Sequence, residues 1–393
     1  MSKKYLSLLR NIVNLPTAPF VETSVIRFIT DFIADRPALR LSRDRFGNML
    51  VRYQPKRKSK LVGRPVLFAA HMDHPGFVAT KMVDKNHVHA EWRGWVQSQY
   101  FHHAKIQFFS GGRWIPAVVT DVQLHKATKA EARQAAASAR SFGAEGPPDG
   151  IIAKVKSPVA KNSPGMWALS DATIKGTRLH ARACDDLAGL AAILCMLDEV
   201  CKTKSPVPTF AFFTRAEEVG FAGALAAVAD KTVPRNTVVV AVENSKAITG
   251  VGVGDGPVLR VGDKATVFTP AATAYCHVVA DKLKERDKTF AYQRKLMDGG
   301  TCESTAYCHH GYDATGICLP LVNYHNMDMD KKKIAPESID TRDFLNLVKW
   351  FVALSKAPAT LKFDGTHPGL DDRLSALLKK YRTRLVETAS SAR

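Results

Sequence analysis

Four strongly apolar segments of strand length constrain the fold of this chain more than any other feature. They are PVLFAA (65–70), PTFAFFT (208–214), TVVVAVE (237–243) and GICLPLV (316–322). Helical patterns separate them, and CDDLAGLAAILCMLDEV (184–200) is apolar almost all round. Continuous apolar strands that alternate with helices are typical of a sheet covered by helices on both faces. The sequence therefore predicts an α/β fold of three layers, with a mixed sheet in the middle.

Each apolar segment ends in, or is followed by, a side chain that can bind a metal ion. In open α/β sheets the carboxyl edge of the strands is where ligands bind. The start of the buried helical segment adds two more carboxylates that can reach the same edge. The candidate residues are His71, Glu217 with Glu218, Glu243 and His325, together with Asp185 and Asp186 at the start of the helical segment.

Each of these residues alone also has an ordinary structural explanation. A histidine at a strand end can simply lie at the polar surface, Glu217-Glu218 fits a solvated turn, and Asp185-Asp186 fits a helix cap. Imidazole and carboxylate are, however, ligands that suit zinc, cobalt or manganese. One carboxylate can also bridge two ions about 3.5–4 Å apart. Their joint occurrence at one edge of one sheet favours a metal site.

The character of the chain changes between residues 85 and 172. Short alternating runs such as KIQFF (105–109) and PAVVTDV (116–122) are broken by glycine and proline, and residues 126–142 predict one helix. We therefore predict a discontinuous catalytic domain of residues 1–84 and 173–360, interrupted by a small β-rich domain at 85–172. A basic, partly helical tail is predicted at 361–393.

Composition excludes several classes of protein. The formal net charge is +19, but the basic clusters near 56–60, 331–333 and 379–384 accompany no nucleic-acid motif. Solvated loops and a basic tail account for them, and weak attraction to polyanions or acidic substrates is the alternative. Seven dispersed cysteines without a CxxC pair favour reduced thiols in the cytoplasm. No apolar run approaches the roughly 20 residues that span a membrane, and the N-terminus predicts an amphipathic helix rather than a signal peptide.

The chain resembles the glutamyl-aminopeptidase family of dinuclear metallo-aminopeptidases, which includes the tetrahedral dodecameric aminopeptidases. The resemblance spans roughly residues 5–356, and its motifs occur in the family's order. The long insertion also lies between His71 and Asp185, as in this family, whereas related carboxypeptidases and deacylases insert a lid domain in the gap that corresponds to Glu243–His325 here. The matching motifs are HMDHPGF, ARACDDLAGLAA, FFTRAEEVGFAGA, VVVAVENS, GGTCESTA and LVNYHN.

The resemblance implies two divalent metal ions per subunit, with zinc or cobalt expected. It implies Glu217 as the general base that takes a proton from a metal-bound water, and Asp73 as the residue that orients His71. Asp185 is implied as the bridging ligand. The implied ligands are His71, Asp185 and Glu243 for one ion, and Asp185, Glu218 and His325 for the other.

The expected activity is therefore a metal-dependent aminopeptidase that removes N-terminal residues from peptides. The resemblance also implies a homo-oligomer, with a dodecamer as the expected form and residues 85–172 at subunit contacts. We expect neither a membrane nor a specific nucleic acid as a partner. Two alternatives stay open: a related deacylase or dipeptidase that acts on small amides, and a non-catalytic scaffold, against which the intact Glu217 and ligand set argue.

Several positions depart from the family pattern. His74 stands where an acidic residue is usual after HMD, Glu243 stands where aspartate is usual, and Cys302 replaces the acid of a GTDA motif. Cys302 or Glu303 can touch the substrate or simply pack. These departures affect substrate preference more than metal binding, and the preferred N-terminal residue does not follow from the sequence.

Overall fold

Helices alternate with strands through most of the chain, as the apolar pattern predicts. The computed structural model describes residues 2–54, 62–124, 146–203, 205–359 and 370–388. The helices predicted at 3–14, 22–34, 184–200 and 343–355 all form, with ends shifted by a few residues. The helices are α1 (Ser2–Ile12), α2 (Thr23–Ala34), α3 (Leu187–Thr203), α4 (Ala222–Ala229), α5 (Pro270–Arg286), α6 (Glu303–His309), α7 (Thr341–Leu354) and α8 (Leu370–Thr388).

The strands divide into a group before α3 and a group after it. Those before α3 are β1 (Leu39–Arg43), β2 (Met49–Tyr53), β3 (Val66–His71), β4 (Gly76–Asp84), β5 (His87–Arg93), β6 (Lys105–Ser110), β7 (Arg113–Leu124), β8 (Pro148–Val155), β9 (Pro164–Trp167), β10 (Thr173–Lys175) and β11 (Arg178–Ala181). Those after α3 are β12 (Thr209–Thr214), β13 (Val238–Lys246), β14 (Val258–Asp263), β15 (Gln293–Met297), β16 (Asp313–Leu321), β17 (Met327–Asp328), β18 (Lys333–Ile334) and β19 (Glu337–Asp340).

An eight-stranded mixed sheet forms the middle layer, in the order β1-β2-β12-β3-β13-β16-β14-β15. The four strands at its centre, β12, β3, β13 and β16, are the four apolar segments of the sequence, and they pair in parallel. Their carboxyl ends therefore meet at one edge. Strands β1, β2 and β14 pair with their inner neighbours in the antiparallel sense.

Both faces of the sheet are covered. Successive residues of a strand point to opposite faces, so Phe68 of β3 belongs to the core that contains side chains of α1, α2, α3, α5 and α7, whereas Leu67 belongs to the core that contains side chains of α4 and α6. Each buried side chain of this size stabilises the fold by about 2 kcal/mol. Helix α3 lies against β3 and β13 and is buried along most of its length, which accounts for its uniformly apolar sequence. The predicted α/β class, with three layers around a mixed sheet, is confirmed.

Strands β4 to β9 close into a barrel in the order β4-β5-β8-β7-β6-β9, which is the predicted β-rich insertion. Aromatic rings fill it: the centroids of Phe77 and Trp92 are 4.8 Å apart, and those of Phe101 and Trp167 are 5.1 Å apart. Strand β4 begins at Gly76, before the predicted boundary at residue 85, and pairs inside the barrel. The division into domains otherwise stays a prediction, and the helix predicted at 126–142 lies outside the described residues.

Two peripheral features complete the fold. Strands β10, β11 and β19 form a small sheet, which brings Glu337 on β19 close to the segment before α3. The tail contains α8, and its described side chains at 372–386 are exposed. Among the described residues, no helix is both long enough and apolar enough to cross a membrane.

Candidate metal centre

The predicted site residues converge at the carboxyl edge of the central parallel strands. His71 is the last residue of β3 and pairs in register with Thr214, the last residue of β12. A short 3₁₀ turn, Glu217–Val219, follows β12, and another, Tyr324–Asn326, follows β16. Glu243 lies within β13 at the same edge. The parallel register thus gathers side chains that are far apart in the sequence.

Asp185 lies between the two histidines and presents one oxygen to each. Its Oδ1 is 3.5 Å from Nε2 of His71, and its Oδ2 is 3.7 Å from Nε2 of His325. The carboxylate of Glu243 is 3.9 Å from Nε2 of His71, and that of Glu218 is 3.2 Å from Nε2 of His325. Two groups of potential ligands therefore share Asp185, and in each group the ligand atoms lie within 4.8 Å of one another.

Glu217 and Asp186 stand apart from these two groups. Glu217 lies 3.9 Å from Nε2 of His71 and joins a third cluster, of His71, Glu217 and Glu218. Asp186 is buried and joins none of the three clusters found among the described residues. The structure thus separates the two members of the Asp185-Asp186 pair, of which the resemblance implies only Asp185 as a ligand.

The ring orientation of both histidines leaves Nε2 available as a ligand. Nδ1 of His325 lies 2.7 Å from the backbone carbonyl of Trp95, and Nδ1 of His71 lies 3.2 Å from the carbonyl of Asp73. A carbonyl only accepts, so each Nδ1 carries a proton, and Nε2 is the nitrogen that can bind a metal ion or, without metal, a second proton. Trp95 belongs to the loop after β5, so the barrel segment fixes one of the two imidazoles.

Several buried polar atoms of the site have no hydrogen-bond partner among the described residues. They include Nε2 of both histidines and one oxygen each of Glu218 and Glu243. Lone pairs of nitrogen and oxygen that face one another across 3–4 Å repel, and burying polar atoms in this way is costly without a partner. A cation between them would remove both problems. The residues present therefore fit divalent metal ions.

The pKa shifts show that the centre of the site favours positive charge. Burial alone would lower the pKa of His71, but Glu217 and the other carboxylates outweigh it and raise this pKa well above its ordinary value. Burial would also lower the pKa of His325, but Glu218 and Asp185 outweigh burial and raise this pKa to about 9. Burial raises the pKa of Glu217 well above its ordinary value. Carboxylates crowded into a buried space need a compensating charge, which protons or metal ions can supply.

Three buried side chains connect the segments that carry the site. Asp73 accepts the backbone N–H of Glu217 at 3.0 Å and that of Glu218 at 3.1 Å, one on each oxygen. Its carboxylate is 3.6 Å from Nδ1 of His71, so the proposed orienting role of Asp73 stays a prediction. The contacts with the turn show instead that it holds the two glutamates in place.

Glu337 makes the second connection, which sequence reasoning did not predict. One oxygen accepts the backbone N–H groups of Cys184 and Asp185 at 2.6 and 3.1 Å, and the other accepts that of His325 at 2.8 Å. His74 makes the third, with Nδ1 2.7 Å from the carbonyl oxygen of Asp185. Since Nε2 of His74 lies 3.2 Å from Oδ1 of Asn326, the Asp185 segment and the His325 turn are tied together from two sides.

Two residues at the departures from the family pattern are buried beside the site. Cys302 is fully buried, and Glu303 is 1 % exposed with neither carboxylate oxygen hydrogen-bonded among the described residues. Burial raises the pKa of Glu303 to about 8. The sequence singled out both positions, and the structure buries both, with Glu303 close enough to His71 to interact with it electrostatically.

Comparison with known proteins gives a consistent result. A family model of the M42 glutamyl aminopeptidases matches residues 47–334, whereas no curated protein matches the sequence significantly. The fold is similar to that of the aminopeptidase APDkam598 from the archaeon Desulfurococcus kamchatkensis, with a TM-score of 0.70 at 18 % identity over 93 % of this chain and 99 % of that one.

Two further solved structures share the fold. One is the Pyrococcus horikoshii TET1 peptidase, which can assemble into a tetrahedron or a large octahedral shell. Its TM-score with this chain is 0.69 at 17 % identity, and the match covers 89 % of this chain and 99 % of that one. The other is a dodecamer of PhTET1-12s, with a TM-score of 0.69 at 18 % identity over 89 % and 98 % of the two chains. The matched family region contains both clusters that share Asp185, and the chain therefore belongs to the M42 glutamyl aminopeptidase family of peptide hydrolases.

Proposed function

We propose that this enzyme removes N-terminal residues from peptides with two divalent metal ions held at the edge of the mixed sheet. The observation that carries the proposal is the position of Asp185, whose two oxygens face two different histidines at 3.5 and 3.7 Å. In dinuclear hydrolases one carboxylate bridges both ions. The unpartnered Nε2 atoms on either side of Asp185 supply the next ligands.

The proposed ligand sets follow from the two clusters. Imidazole nitrogen and carboxylate oxygen suit zinc and cobalt, which we expect in preference to calcium or magnesium. Glu243 is one methylene longer than the aspartate that is usual at this position in the family. Its carboxylate nevertheless lies 3.9 Å from Nε2 of His71 and so belongs to the first cluster. The sets are His71, Asp185 and Glu243 for one ion, and Asp185, Glu218 and His325 for the other.

Glu217 is the residue that we assign to proton transfer. When bound, the two ions would make a water molecule acidic near neutral pH and stabilise a developing oxyanion. Glu217 belongs to neither cluster that contains Asp185, and its backbone N–H is fixed by Asp73. Its carboxylate lies 3.9 Å from Nε2 of His71, where it can accept a proton from the attacking water and return it to the leaving amine.

The free amino terminus of a substrate could contact a metal ion or an acidic side chain such as Glu303, which interacts electrostatically with Glu217. An N-acylated substrate has no free amine to make such a contact. Selectivity for free amines thus separates the proposed aminopeptidase from a deacylase that acts on small amides.

One experiment tests these assignments together. Metal-free enzyme is reloaded separately with zinc, cobalt and manganese, and each form is assayed on a panel of aminoacyl amides and on their N-acetylated counterparts. We expect binding of two equivalents and hydrolysis of the free-amine substrates only. Hydrolysis of the N-acetylated substrates alone would favour the deacylase, and full metal loading without any hydrolysis would favour a scaffold.

We also propose a homo-oligomer, with a dodecamer as the expected form and the β-rich insertion of residues 85–172 at subunit contacts. The similar TET structures, which assemble as a dodecamer or as tetrahedral and octahedral shells, support this proposal. Light scattering at micromolar concentration measures the mass directly. A monomer mass would overturn the proposal, and a shift on removal of residues 361–393 would show that the tail takes part in assembly.

The predicted domain division and location are kept as proposals. A catalytic domain of residues 1–84 and 173–360 surrounds the insertion in sequence. All seven cysteines are free, which supports a reducing compartment such as the cytoplasm. Fractionation of cells that express the untagged protein, with detection of the protein in each fraction, tests the location.

A further inference from the structure

His74 occupies a buried position between the two segments that carry the bridging aspartate and the second histidine. It is 1 % exposed and lies in the connection between β3 and β4. Its Nδ1 is 2.7 Å from the backbone carbonyl oxygen of Asp185, and its Nε2 is 3.2 Å from Oδ1 of Asn326. Since Asn326 follows His325 directly, the ring spans the gap between the two halves of the proposed centre.

The side-chain amide of Asn326 can adopt only one orientation in these surroundings. Its Nδ2 donates to the carbonyl of Arg182 at 3.0 Å and to the carbonyl of Ala335 at 3.2 Å. A flipped amide would place its oxygen against those two carbonyls, so that three acceptors would face one another without a donor. Oδ1 of Asn326 therefore faces His74 as an acceptor.

Both ring nitrogens of His74 consequently face acceptors. The carbonyl of Asp185 accepts only, so Nδ1 donates to it, and Oδ1 of Asn326 requires Nε2 to donate as well. The two contacts hold the ring from both ends, against the Asp185 segment on one side and the His325 turn on the other.

An acidic residue, which is usual at this position in the family that the sequence resembles, could not make these contacts. A carboxylate has no hydrogen to donate, so it would repel both the carbonyl of Asp185 and Oδ1 of Asn326. The histidine therefore places a donor where the family usually has an acceptor. This change is compatible with the site because both partners are oriented as acceptors.

We propose that His74 is a positioning residue that fixes the distance between the bridging Asp185 and the ligand His325 by donating a hydrogen bond to each segment. Its functional consequence rests on the proposed function, since it presupposes that these two residues hold metal ions. The loss of such supporting contacts around metal ligands typically lowers metal affinity by about 10- to 100-fold. His74→Gln keeps a polar side chain, but its single amide group cannot contact both the carbonyl of Asp185 and Oδ1 of Asn326 as the two ring nitrogens do.

The test compares His74→Gln with the control His89→Gln. His89 also has both ring nitrogens bonded, to Thr80 at 2.6 Å and to Gln123 at 2.9 Å, but it lies in the barrel. Metal affinity is measured by competition with a chromophoric chelator, the cobalt-loaded proteins are compared by visible absorption, and metal-free unfolding is followed in urea. We expect His74→Gln to bind cobalt and zinc about 10- to 100-fold more weakly and to show an altered cobalt spectrum, while His89→Gln matches the wild type in both.

The outcomes separate this inference from the proposed function. Wild-type protein that binds fewer than two ions would contradict the proposed function. Wild-type affinity and an unchanged cobalt spectrum in His74→Gln, with two ions bound, would overturn the role of His74 and leave the proposed function intact. If His74→Gln does not fold, His74→Asn is measured in the same way. Failure of both variants to fold, when His89→Gln folds, would show that the residue is structural and also overturn the inference.

Discussion

Glu217 and Glu218 are neighbours in the chain, yet their carboxylates lie against different histidines. Glu217 is 3.9 Å from Nε2 of His71, and Glu218 is 3.2 Å from Nε2 of His325. The 3₁₀ turn that carries them causes this divergence, because Asp73 binds both backbone N–H groups and fixes the turn. Two adjacent residues of the same type can thus have different roles.

The first prediction follows from this divergence. Glu217→Gln keeps the size of the side chain but cannot accept a proton, so turnover should fall by at least the roughly 10²–10⁴-fold typical of a lost general base. Metal content, measured by elemental analysis, should stay at the wild-type value. Glu218→Gln should instead lose metal from the cluster that contains His325. Reversed phenotypes would exchange the two roles, and near-normal turnover of Glu217→Gln would refute the assigned mechanism.

The two histidines should act on separate ions. His71→Ala removes Nε2 from one cluster and His325→Ala removes it from the other, so each variant should lose about one equivalent of metal on mild dialysis. Elemental analysis of the dialysed proteins is the measurement, and His180→Ala in β11 is the control that should keep both equivalents. Full occupancy in either site variant would remove that histidine from the ligand set.

Stability of the metal-free protein should depend on pH with a definite sign. Burial raises the pKa of Glu303 from 4.5 to about 8, and Glu218 with Asp185 outweighs burial to raise that of His325 from 6.5 to about 9. Between the ordinary and the raised values, the folded protein binds more protons than the unfolded chain. Its unfolding free energy should therefore fall as pH rises, by up to about 1.4 kcal/mol per pH unit for each group.

Urea unfolding in chelator at pH 6, 7, 8 and 9 measures this slope, which should be negative between pH 6.5 and 9. Metal-loaded protein should behave differently, since metal binding releases protons and is favoured by higher pH. Glu303→Gln should flatten part of the metal-free profile. A metal-free profile that is flat or rising would contradict the electrostatic account of the buried carboxylates.

Glu337 should contribute to folding as well as to the site. Its two oxygens accept three backbone N–H groups. Glutamine keeps only one acceptor oxygen, and its NH₂ group cannot accept a hydrogen bond. Glu337→Gln leaves at least one buried donor unsatisfied, which costs about 1–3 kcal/mol. Chemical denaturation measures the loss, and the exposed Glu91→Gln should change the unfolding free energy by less than about 1 kcal/mol. Equal stabilities of the two variants would show that the contacts of Glu337 are dispensable.

Gly189 should tolerate no side chain. A Cβ at this position in α3 would lie 2.2 Å from Oδ1 of Asp186 and 2.6 Å from Cγ1 of Val242, and both partners are buried. Gly189→Ala should therefore destabilise the protein by about 1–3 kcal/mol through overpacking. The Cβ of Gly300→Ala meets nothing within 4 Å, so that variant should unfold at the wild-type denaturant concentration. A wild-type midpoint for Gly189→Ala would mean that α3 can move away from β13.

The sequence was sufficient to predict the central sheet and the convergence of the site residues. Fully apolar strands such as that ending in His71 have few alternatives to a covered parallel sheet, and parallel strands place their carboxyl ends together. Helix α3 was equally predictable, since a helix without a polar face must be buried. What the sequence predicted well thus depended on the periodicity and length of apolar segments.

Other features had no comparable signal. Glu337 lies on a four-residue strand, too short for its alternation to be recognised, and its partners are backbone groups that any sequence carries. The carbonyl of Trp95 is likewise invisible to residue patterns, although it fixes the ring of His325. Gly76 already begins a barrel strand, although the sequence predicts the β-rich domain only from residue 85, and its lack of Cβ permits close approach of Ala18 and of the carbonyl of Gly165.

The distribution of the site over the chain also affects how the protein can be made. His71 is synthesised early, whereas His325 and Glu337 appear only near the end, after most of the central strands. A chain still on the ribosome lacks one side of the proposed centre until β16 and β19 have joined their sheets. We therefore expect a growing chain to hold no more than one of the two proposed ligand sets until His325 has been added and β16 has joined the sheet.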